Sequence, residues 1–149
     1  MSRTLKAVPL AEMTPLEVHQ LYKLRVDAYV LEQATPYQEI QDIDAADSTR
    51  HLLLQDESGA LLGCARLHPA QVAGEEVTQF GRFVLVPSAR GTGAGDELLR
   101  FALAEARADR PVYLTAQLGL TGYYARYGFT ETGERYDDTG VPHQPMIRY

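Results

Sequence analysis

The sequence contains little sulfur and no tryptophan: among its 149 residues are three methionines and one cysteine, Cys64. A single cysteine cannot form a disulfide within the chain, which excludes a disulfide-stapled fold. No run of about 18 consecutive apolar residues is present, and the first residues lack the apolar core of a signal peptide. We therefore expect no membrane partner and a cytoplasmic location.

Positive charge is also scarce, because 14 lysines and arginines stand against 20 aspartates and glutamates, a formal net charge of −6. Binding to a phosphate backbone needs a concentrated patch of lysine and arginine, so we expect no nucleic-acid partner. An acidic surface instead attracts cationic small molecules or basic peptides.

The remaining composition is that of a globular protein, with 45% hydrophobic and 23% charged residues. This balance argues against disorder and against fibrous repeats. The length suits one domain over residues 1–149 that buries a single core. The oligomeric state is left open by the sequence, a homodimer included.

Periodicity and turn residues predict an alternation of strands and helices. Thr14-Pro15-Leu16-Glu17 is typical of a helix start, and the apolar spacing carries that helix to about Leu31. The polar connection that follows, to Arg50, is long enough to be functional. The expected strands are 5–9, 51–55, 60–67, 77–86, 112–116, 129–132 and 146–149, with further helices over 96–108 and 120–127. This order predicts an α+β domain with a mixed sheet.

One glycine-rich stretch, Arg90-Gly91-Thr92-Gly93-Ala94-Gly95, joins a predicted strand to a predicted helix. A helix N-terminus presents backbone N–H groups without partners, and glycines let an anion approach them. The stretch therefore predicts a phosphate site, although such glycines also serve to permit a tight turn. Neither the Walker pattern nor the dinucleotide pattern fits, since no lysine follows the glycines and the third glycine comes one residue early.

The same stretch, behind Val84-Leu85-Val86-Pro87, resembles the pyrophosphate loop of the GNAT superfamily of acetyltransferases. A second stretch, Gly122 to Phe129, resembles the aromatic segment on the last helix of that family. The resemblance implies that acetyl-CoA is the co-substrate. It also implies that the residues binding it are Val84, Leu85, Val86, Arg90, Gly91, Thr92, Gly93, Ala94 and Gly95.

Nearly the whole chain resembles the ElaA-like branch of this superfamily, through the stretches 30–33, 36–39, 50–52, 111–117 and 140–143. The chain differs from that branch at Ala34-Thr35 and at Gln41. The resemblance implies a central mixed sheet flanked by helices and splayed between its fourth and fifth strands. Acetyl-CoA would lie in that splay.

Amine acetylation needs a base and an acid, because an amine with a pKa near 10.4 arrives protonated and the departing thiolate needs a proton. The resemblance assigns the acid to Tyr124. For the base we favour Glu32, where partial burial after an apolar helix end would make the carboxylate more basic. The alternatives are Glu39, Asp42, Asp44, His51 and His143.

Residues within the ElaA-like stretches are our candidates for binding the acceptor: Tyr37, His51 and His143. The acidic spacing Asp42, Asp44, Asp47 does not fit a calcium loop, and no metal is expected. Cys64 is expected to be a small buried residue, which favours direct transfer in a ternary complex over an acetyl-cysteine.

The expected function is acetyl transfer from acetyl-CoA to a primary amine of a small molecule or peptide. Two alternatives stay open. One is acyl transfer of the kind that acyl-homoserine-lactone synthases perform on the same scaffold. The other is a CoA-binding sensor without turnover.

Overall fold

A computed structural model describes residues 3–34 and 38–149 and arranges their strands in one sheet, in the order β1-β2-β3-β4-β5-β8-β6, with β7 also paired to β8. The strands are β1 Thr4–Val8, β2 Arg50–Gln55, β3 Leu61–Val72, β4 Glu75–Leu85, β5 Val112–Gln117, β6 Thr130–Glu131, β7 Tyr136–Asp138 and β8 Val141–Arg148. The helices are α1 Pro15–Val26, continued by a π-helical segment Asp27–Glu32, α2 Ala94–Glu105 and α3 Thr121–Ala125. Short 3-10 turns cover Leu10–Glu12, Asp42–Ala45, Pro87–Ala89 and Leu118–Leu120.

The helices cover both faces of the sheet, which confirms the expected α+β class. Leu52 and Leu54 of β2 pack with Leu98 of α2, whereas Leu53 packs on the opposite face with Leu21 of α1. Successive strand residues point to opposite faces, so the middle of β2 is buried on both sides, and residues 52–54 there are all leucine. No helix in the described part of the chain is long and apolar enough to cross a bilayer.

α1 begins at the capping box that the sequence predicts. The Thr14 hydroxyl accepts from the N–H of Glu17 at 3.1 Å, and the Glu17 carboxylate accepts from the N–H of Thr14 at 3.0 Å. The helical stretch also ends near the expected residue, but its last six residues, Asp27–Glu32, are π-helical. A π segment shifts side chains out of α-helical register and is frequent at functional sites.

A bulge bends β4 at Arg82. Cys64 of β3 pairs with Val84, but two residues later Arg66 pairs with Gly81, so β4 contains one extra residue. Arg82 takes a φ of +52°, a left-handed conformation that is uncommon for a residue with a side chain. Such bulges increase local twist and turn side chains toward a site.

The sheet splays between β4 and β5, as the resemblance implied. These strands are parallel, and their pairing is limited to Thr78 with Val112 and Gln79 with Tyr113. Beyond that point β5 pairs with β8, from Val112 opposite Arg148 to Gln117 opposite His143. The C-terminal half of β4 therefore has no neighbouring strand on its β5 side, and a gap opens there.

The sequence did not predict β7 or the first five residues of β8, because two prolines interrupt the strand pattern. Pro142 lies beyond the last residue of β8 that pairs with β5, so its missing N–H costs no ladder bond there. The carbonyl of Pro145 accepts from the N–H of Thr132, so its nitrogen faces the gap between β6 and β7. Pro142 is therefore accommodated because the pairing with β5 ends at His143, and Pro145 because β6 and β7 leave a gap opposite it.

Candidate active site

Two cavities meet in the gap between β4 and β5. The larger, which we call the glycine cleft, has a volume of about 850 Å³ and is bounded by the glycine turn at residues 91–95 and by Tyr123 and Tyr127. The smaller, which we call the arginine cavity, has a volume of about 230 Å³ and is bounded by Arg66, Arg82 and Arg90.

The glycine turn opens the first turn of α2 toward the cleft. Gly91 and Gly93 take φ values of +75° and +87°, a backbone conformation that strains any other residue. A Cβ atom added at either position would have no other atom within 4 Å, so the space above the turn is open. No side chain caps α2, and its first N–H groups are available to an anion.

Arginines and aromatic rings complete the cleft. Arg90, Arg100 and Arg126 line it, a local cluster of positive charge on an acidic chain. Phe83 and Tyr123 stack with ring centroids 6.4 Å apart. The cleft thus combines an anion-binding turn, cationic side chains and flat apolar walls, the combination that a nucleotide-bearing cofactor with phosphates requires.

The structure brings six of the nine residues expected to bind the cofactor to the cleft: Val84, Leu85, Arg90, Gly91, Gly93 and Gly95. Three others do not line it. Val86 bonds through its N–H to the Leu62 carbonyl, the Thr92 hydroxyl donates to the Ala89 carbonyl at 2.6 Å, and the Ala94 side chain is buried in the core. At Thr92 and Ala94 only the backbone faces the turn.

Tyr124 lies where the two cavities join, since it lines both of them. α3 directs its ring against Phe129, with centroids 6.0 Å apart, and only 7% of the residue is exposed. Burial, and secondarily the neighbouring Tyr123, raise the pKa of the Tyr124 phenol well above its usual 10. The hydroxyl therefore keeps its proton throughout the physiological range and is available there as a proton donor.

The π-helical segment forms one wall of the arginine cavity. Ala28, Tyr29 and Glu32 all line the cavity. The Tyr29 hydroxyl donates to the carbonyl of Phe83 at 3.0 Å and ties this wall to the unpaired edge of β4. The wall is therefore fixed against the bulged strand.

Glu32 reaches the cavity but is not buried. Its side chain is 54% exposed and pairs with Arg90, whose Nη2 lies 3.3 Å from the Glu32 Oε1. The partial burial on which our choice of Glu32 as the base rested is therefore absent. Its carboxylate nevertheless stands at the mouth of the cavity beside Arg90, which lines both cavities.

The two histidine candidates occupy different environments. His143 lines the arginine cavity; its Nδ1 lies 2.8 Å from the Val141 carbonyl and so carries the proton, which leaves the Nε2 lone pair available. His51 is fully buried in β2, contacts the Asp44 carbonyl through Nε2 at 2.8 Å, and lines neither cavity. Tyr37, the third acceptor candidate, lies outside the described residues.

A buried set of charged side chains, which we call the ion network, adjoins the arginine cavity. Its members are Arg25, Glu39, Asp44, Arg66 and Arg82. Arg25 contacts Glu39 at 2.7 Å and Asp44 at 2.9 Å, Arg66 contacts Asp44 at 3.1 Å, and Arg82 contacts Glu39 at 2.7 Å. Burial by itself would raise the pKa of Asp44, but hydrogen bonds from Arg25 and from the Gln41 N–H lower it well below its usual range.

Comparison with known proteins then decides the family. A model described as an acetyltransferase (GNAT) domain matches residues 11–149. The chain belongs to the GNAT family. It is 38% identical over 148 residues to a UPF0039 protein of Mycobacterium bovis, covering 99% of this chain and 94% of that protein. It is 33% identical over 143 residues to protein ElaA of Escherichia coli, covering 93% and 91%.

The solved structures agree with this assignment. The crystal structure of an acyl-CoA N-acyltransferase from Pseudomonas aeruginosa is 38% identical, superposes with a TM-score of 0.89, and covers 99% of this chain and 100% of that one. The resemblance to the GNAT superfamily and its ElaA-like branch is thereby confirmed. An acyl-CoA is the co-substrate that this GNAT fold implies, and the open glycine turn with its three arginines fits the phosphates of CoA.

The ion network is the part of this GNAT site that the sequence analysis missed. One signal was present: Arg25 interrupts the apolar face of α1 one helical turn after Leu21, and Arg66 stands between the buried residues Ala65 and Leu67. Arginine is rarely buried without a partner, so these positions indicated buried carboxylates elsewhere. The sequence alone does not reveal which carboxylates those are.

Proposed function

We propose that this chain transfers an acetyl group from acetyl-CoA to a primary amine by direct transfer in a ternary complex. The observation that carries the proposal is the position of Tyr124 at the junction of the two cavities. With the glycine turn at the other end of the cleft, this position gives a donor beside the point where co-substrate and acceptor would meet. The arginine cavity is the proposed acceptor site.

The glycine turn would hold the diphosphate of CoA through the N–H groups at the start of α2. Arg90, Arg100 and Arg126 would contribute charge-assisted contacts to the phosphates. The β5-facing edge of β4, which lacks a strand partner beyond Gln79, offers backbone groups to the amide-containing arm of CoA. These contacts would orient the thioester toward Tyr124.

In the chemical step the amine nitrogen attacks the thioester carbon, the C–S bond breaks, and the nitrogen loses a proton. Tyr124 would donate its proton to the departing sulfur and regain one from solvent. The raised pKa keeps the phenol protonated before the first step and favours the second. We retain Glu32 as the proposed acceptor of the amine proton. The His143 Nε2 would accept a hydrogen bond from the same amine, and the two groups line one cavity.

An acetyl-enzyme route through cysteine has no support in the described residues. Cys64 is the only cysteine of the sequence, is fully buried and lines neither cavity. Burial raises the pKa of its thiol to about 12, so little of the reactive thiolate forms near neutral pH. This favours direct transfer.

The experiment is a thiol-release assay with acetyl-CoA and a panel of amino acids, polyamines, aminoglycosides and lysine peptides, alongside calorimetric titration of acetyl-CoA. Acceptor-dependent release of CoA is the expected result. Tight acetyl-CoA binding with no release on any acceptor would favour the sensor alternative. Absence of acetyl-CoA binding would remove the basis of the proposal.

A further inference from the structure

The charges of the ion network do not balance. Three guanidinium groups, from Arg25, Arg66 and Arg82, share two carboxylates, from Glu39 and Asp44. Four of these five residues are buried, and Arg82 has only 11% of its side-chain surface exposed. Burying a charge without a counter-charge is costly, so a net charge of +1 here is a feature that requires an explanation.

Arg66 is compensated less fully than Arg25, because Arg25 contacts both Glu39 and Asp44 whereas Arg66 contacts Asp44 alone. Burial would lower the pKa of Arg25, but hydrogen bonds to Asp44 and Glu39 raise it above its usual value. For Arg66 burial comes first and the nearby positive charge of Arg82 adds to it, so that its pKa falls despite the contact with Asp44. The buried Arg66 Nε also has no hydrogen-bond partner among residues 3–34 and 38–149.

The less fully compensated Arg66 is also one of the two arginines of the ion network that reach the cavity. Arg66 and Arg82 line the arginine cavity, with 6% and 11% of their side-chain surfaces exposed, whereas Arg25 does not line it. The bulge at Arg82 adds a strained backbone conformation at the same point. A positive wall is therefore held rigidly beside the proposed acceptor site.

From this arrangement we infer that the acceptor is an amine that also carries a carboxylate, and that Arg66 and Arg82 bind that carboxylate. The inference rests on the proposed function and narrows its substrate to amino carboxylic acids. The planar fork of a guanidinium matches a carboxylate geometrically. One carboxylate also brings one negative charge, which neutralises the excess of +1.

The other properties of the cavity agree with this choice. A phosphate group carries between one and two negative charges near pH 7 and would overcompensate the network. A volume of about 230 Å³ is below the usual range for drug-sized ligands and suits a molecule of the size of an amino acid. Glu32 and Asp138 also line the cavity and supply carboxylates for the ammonium end of the same molecule.

The test compares matched acceptors on the unmodified protein. Glycine, alanine, methionine, leucine and phenylalanine are each assayed for CoA release against their carboxamides, together with β-alanine, lysine, glycyl-leucine, aminomethylphosphonate and spermidine. We expect at least one acid to exceed its amide in kcat/KM by about 10- to 100-fold, the worth of a charge-assisted hydrogen bond. The comparison is conservative, because an amide lowers the pKa of the neighbouring ammonium and frees more reactive amine.

A second readout, the melting temperature of the CoA-loaded protein with each ligand, separates this inference from the proposed function. If an amino acid stabilises the CoA-loaded protein and its amide does not, the carboxylate site is supported. This holds even if no acceptor releases CoA, because the absence of release would overturn only the proposed acetyl transfer. Equal rates and equal stabilisation by acid and amide overturn the inference and leave acetyl transfer standing. Preference for spermidine or for aminomethylphosphonate over the acids also overturns it.

Arg66→Lys tests whether Arg66 binds the carboxylate, because lysine keeps the charge opposite Asp44 and removes the planar fork of the guanidinium. We expect the preference for acid over amide to fall by at least tenfold, a ratio that a general loss of stability does not change. The control is Arg110→Lys, since Arg110 is also mostly buried and paired, with Glu76 at 3.2 Å, but lines neither cavity. An unchanged ratio in folded Arg66→Lys protein would overturn the role of Arg66.

Discussion

The anion-binding turn of the glycine cleft is one contiguous stretch of backbone, whereas side chains from widely separated segments form the arginine cavity. In the cleft, Gly91 and Gly93 fix the turn and leave amide groups open. In the cavity, Glu32 comes from the end of the π segment, Arg66 from β3 and His143 from β8. The first site therefore depends on local conformation, and the second depends on the tertiary fold and on a buried ion network.

The largest expected effect concerns the residue that the two sites share. Tyr124→Phe keeps the ring that packs on Phe129 and removes only the donor. If Tyr124 protonates the thiolate, kcat should fall by roughly 10²–10⁴-fold while acetyl-CoA affinity stays nearly unchanged. Steady-state kinetics with calorimetric titration on the same variant measure both quantities.

The pH profile provides a control for this interpretation. Burial raises the pKa of Tyr124 above 10, so the phenol stays protonated through pH 10. The wild-type kcat should rise as the amine is deprotonated and should not fall on the alkaline side before that pH. A descending limb between pH 8 and 10 in stable protein, or an undiminished kcat in Tyr124→Phe, would contradict the role of Tyr124 as the acid.

The second effect concerns stability on the side of the arginine cavity. Asp44→Asn leaves Arg25 and Arg66 with one carboxylate fewer, and breaking a buried ion pair in this way costs about 3–5 kcal/mol of unfolding free energy. Asp27→Asn is the matched control, because Asp27 is exposed and its pair with Lys23 is worth no more than about 0.5 kcal/mol. Urea unfolding near pH 7 gives both values.

The lowered pKa of Asp44 also predicts how the stability of the protein changes at acid pH. Because the folded-state pKa of Asp44 lies below its unfolded value of 3.8, its stabilising contribution is complete well above that pH. The contribution is lost progressively as the pH falls through 3.8 and below. The difference in stability between wild type and Asp44→Asn should therefore shrink toward acid pH, and a constant difference down to pH 3 would argue against the network.

The third effect tests whether the glycine cleft binds through its backbone. Gly93→Ala should lower the free energy of unfolding by about 1–2 kcal/mol, because alanine must adopt a left-handed conformation, and it places a methyl group over the turn. Gly74→Ala is the control and should lower the free energy of unfolding by a similar amount, because Gly74 has a φ of +82° and open space around it. The turn at Gly74 lines neither cavity. We expect similar melting temperatures for the two variants, but an acetyl-CoA Kd raised about 10- to 100-fold in Gly93→Ala alone. Equal Kd values would separate the turn from the co-substrate.

The smallest effect has opposite signs for stability and for binding. Gly95 lies inside α2 without a positive φ, and a Cβ there would meet Leu85 and the Tyr123 hydroxyl at an ordinary 3.5 Å. Gly95→Ala should therefore stabilise the free protein by up to about 1 kcal/mol through helix propensity. It should also weaken acetyl-CoA binding, because the methyl group enters the cleft. Thermal unfolding without ligand, followed by titration, checks both signs, and a loss of stability would contradict the first.

Local signals predicted the parts of the fold in which sequence neighbours act together. The Thr14 capping box and the glycine turn before α2 lie where the sequence indicated them. β8 was largely missed because Pro142 and Pro145 suggested a break. The strand tolerates these prolines because β5, β6 and β7 each pair with only part of β8, which is a property of the whole sheet.

The sequence by itself determined the glycine turn of the cleft, because a left-handed glycine and an uncapped helix start are consequences of residues 90–95 alone. The sequence also identified the GNAT family, because the family's motifs lie in contiguous stretches. Only the tertiary structure decided the arginine cavity. Glu32 is exposed beside Arg90, His51 is buried away from both cavities, and Arg66 lies opposite Asp44, because long-range pairing of β3, β4 and the 42–45 turn sets which charges meet. Charge compensation depends on distance in space, and residues 22 positions apart in sequence, such as Asp44 and Arg66, carry no local signal of that distance.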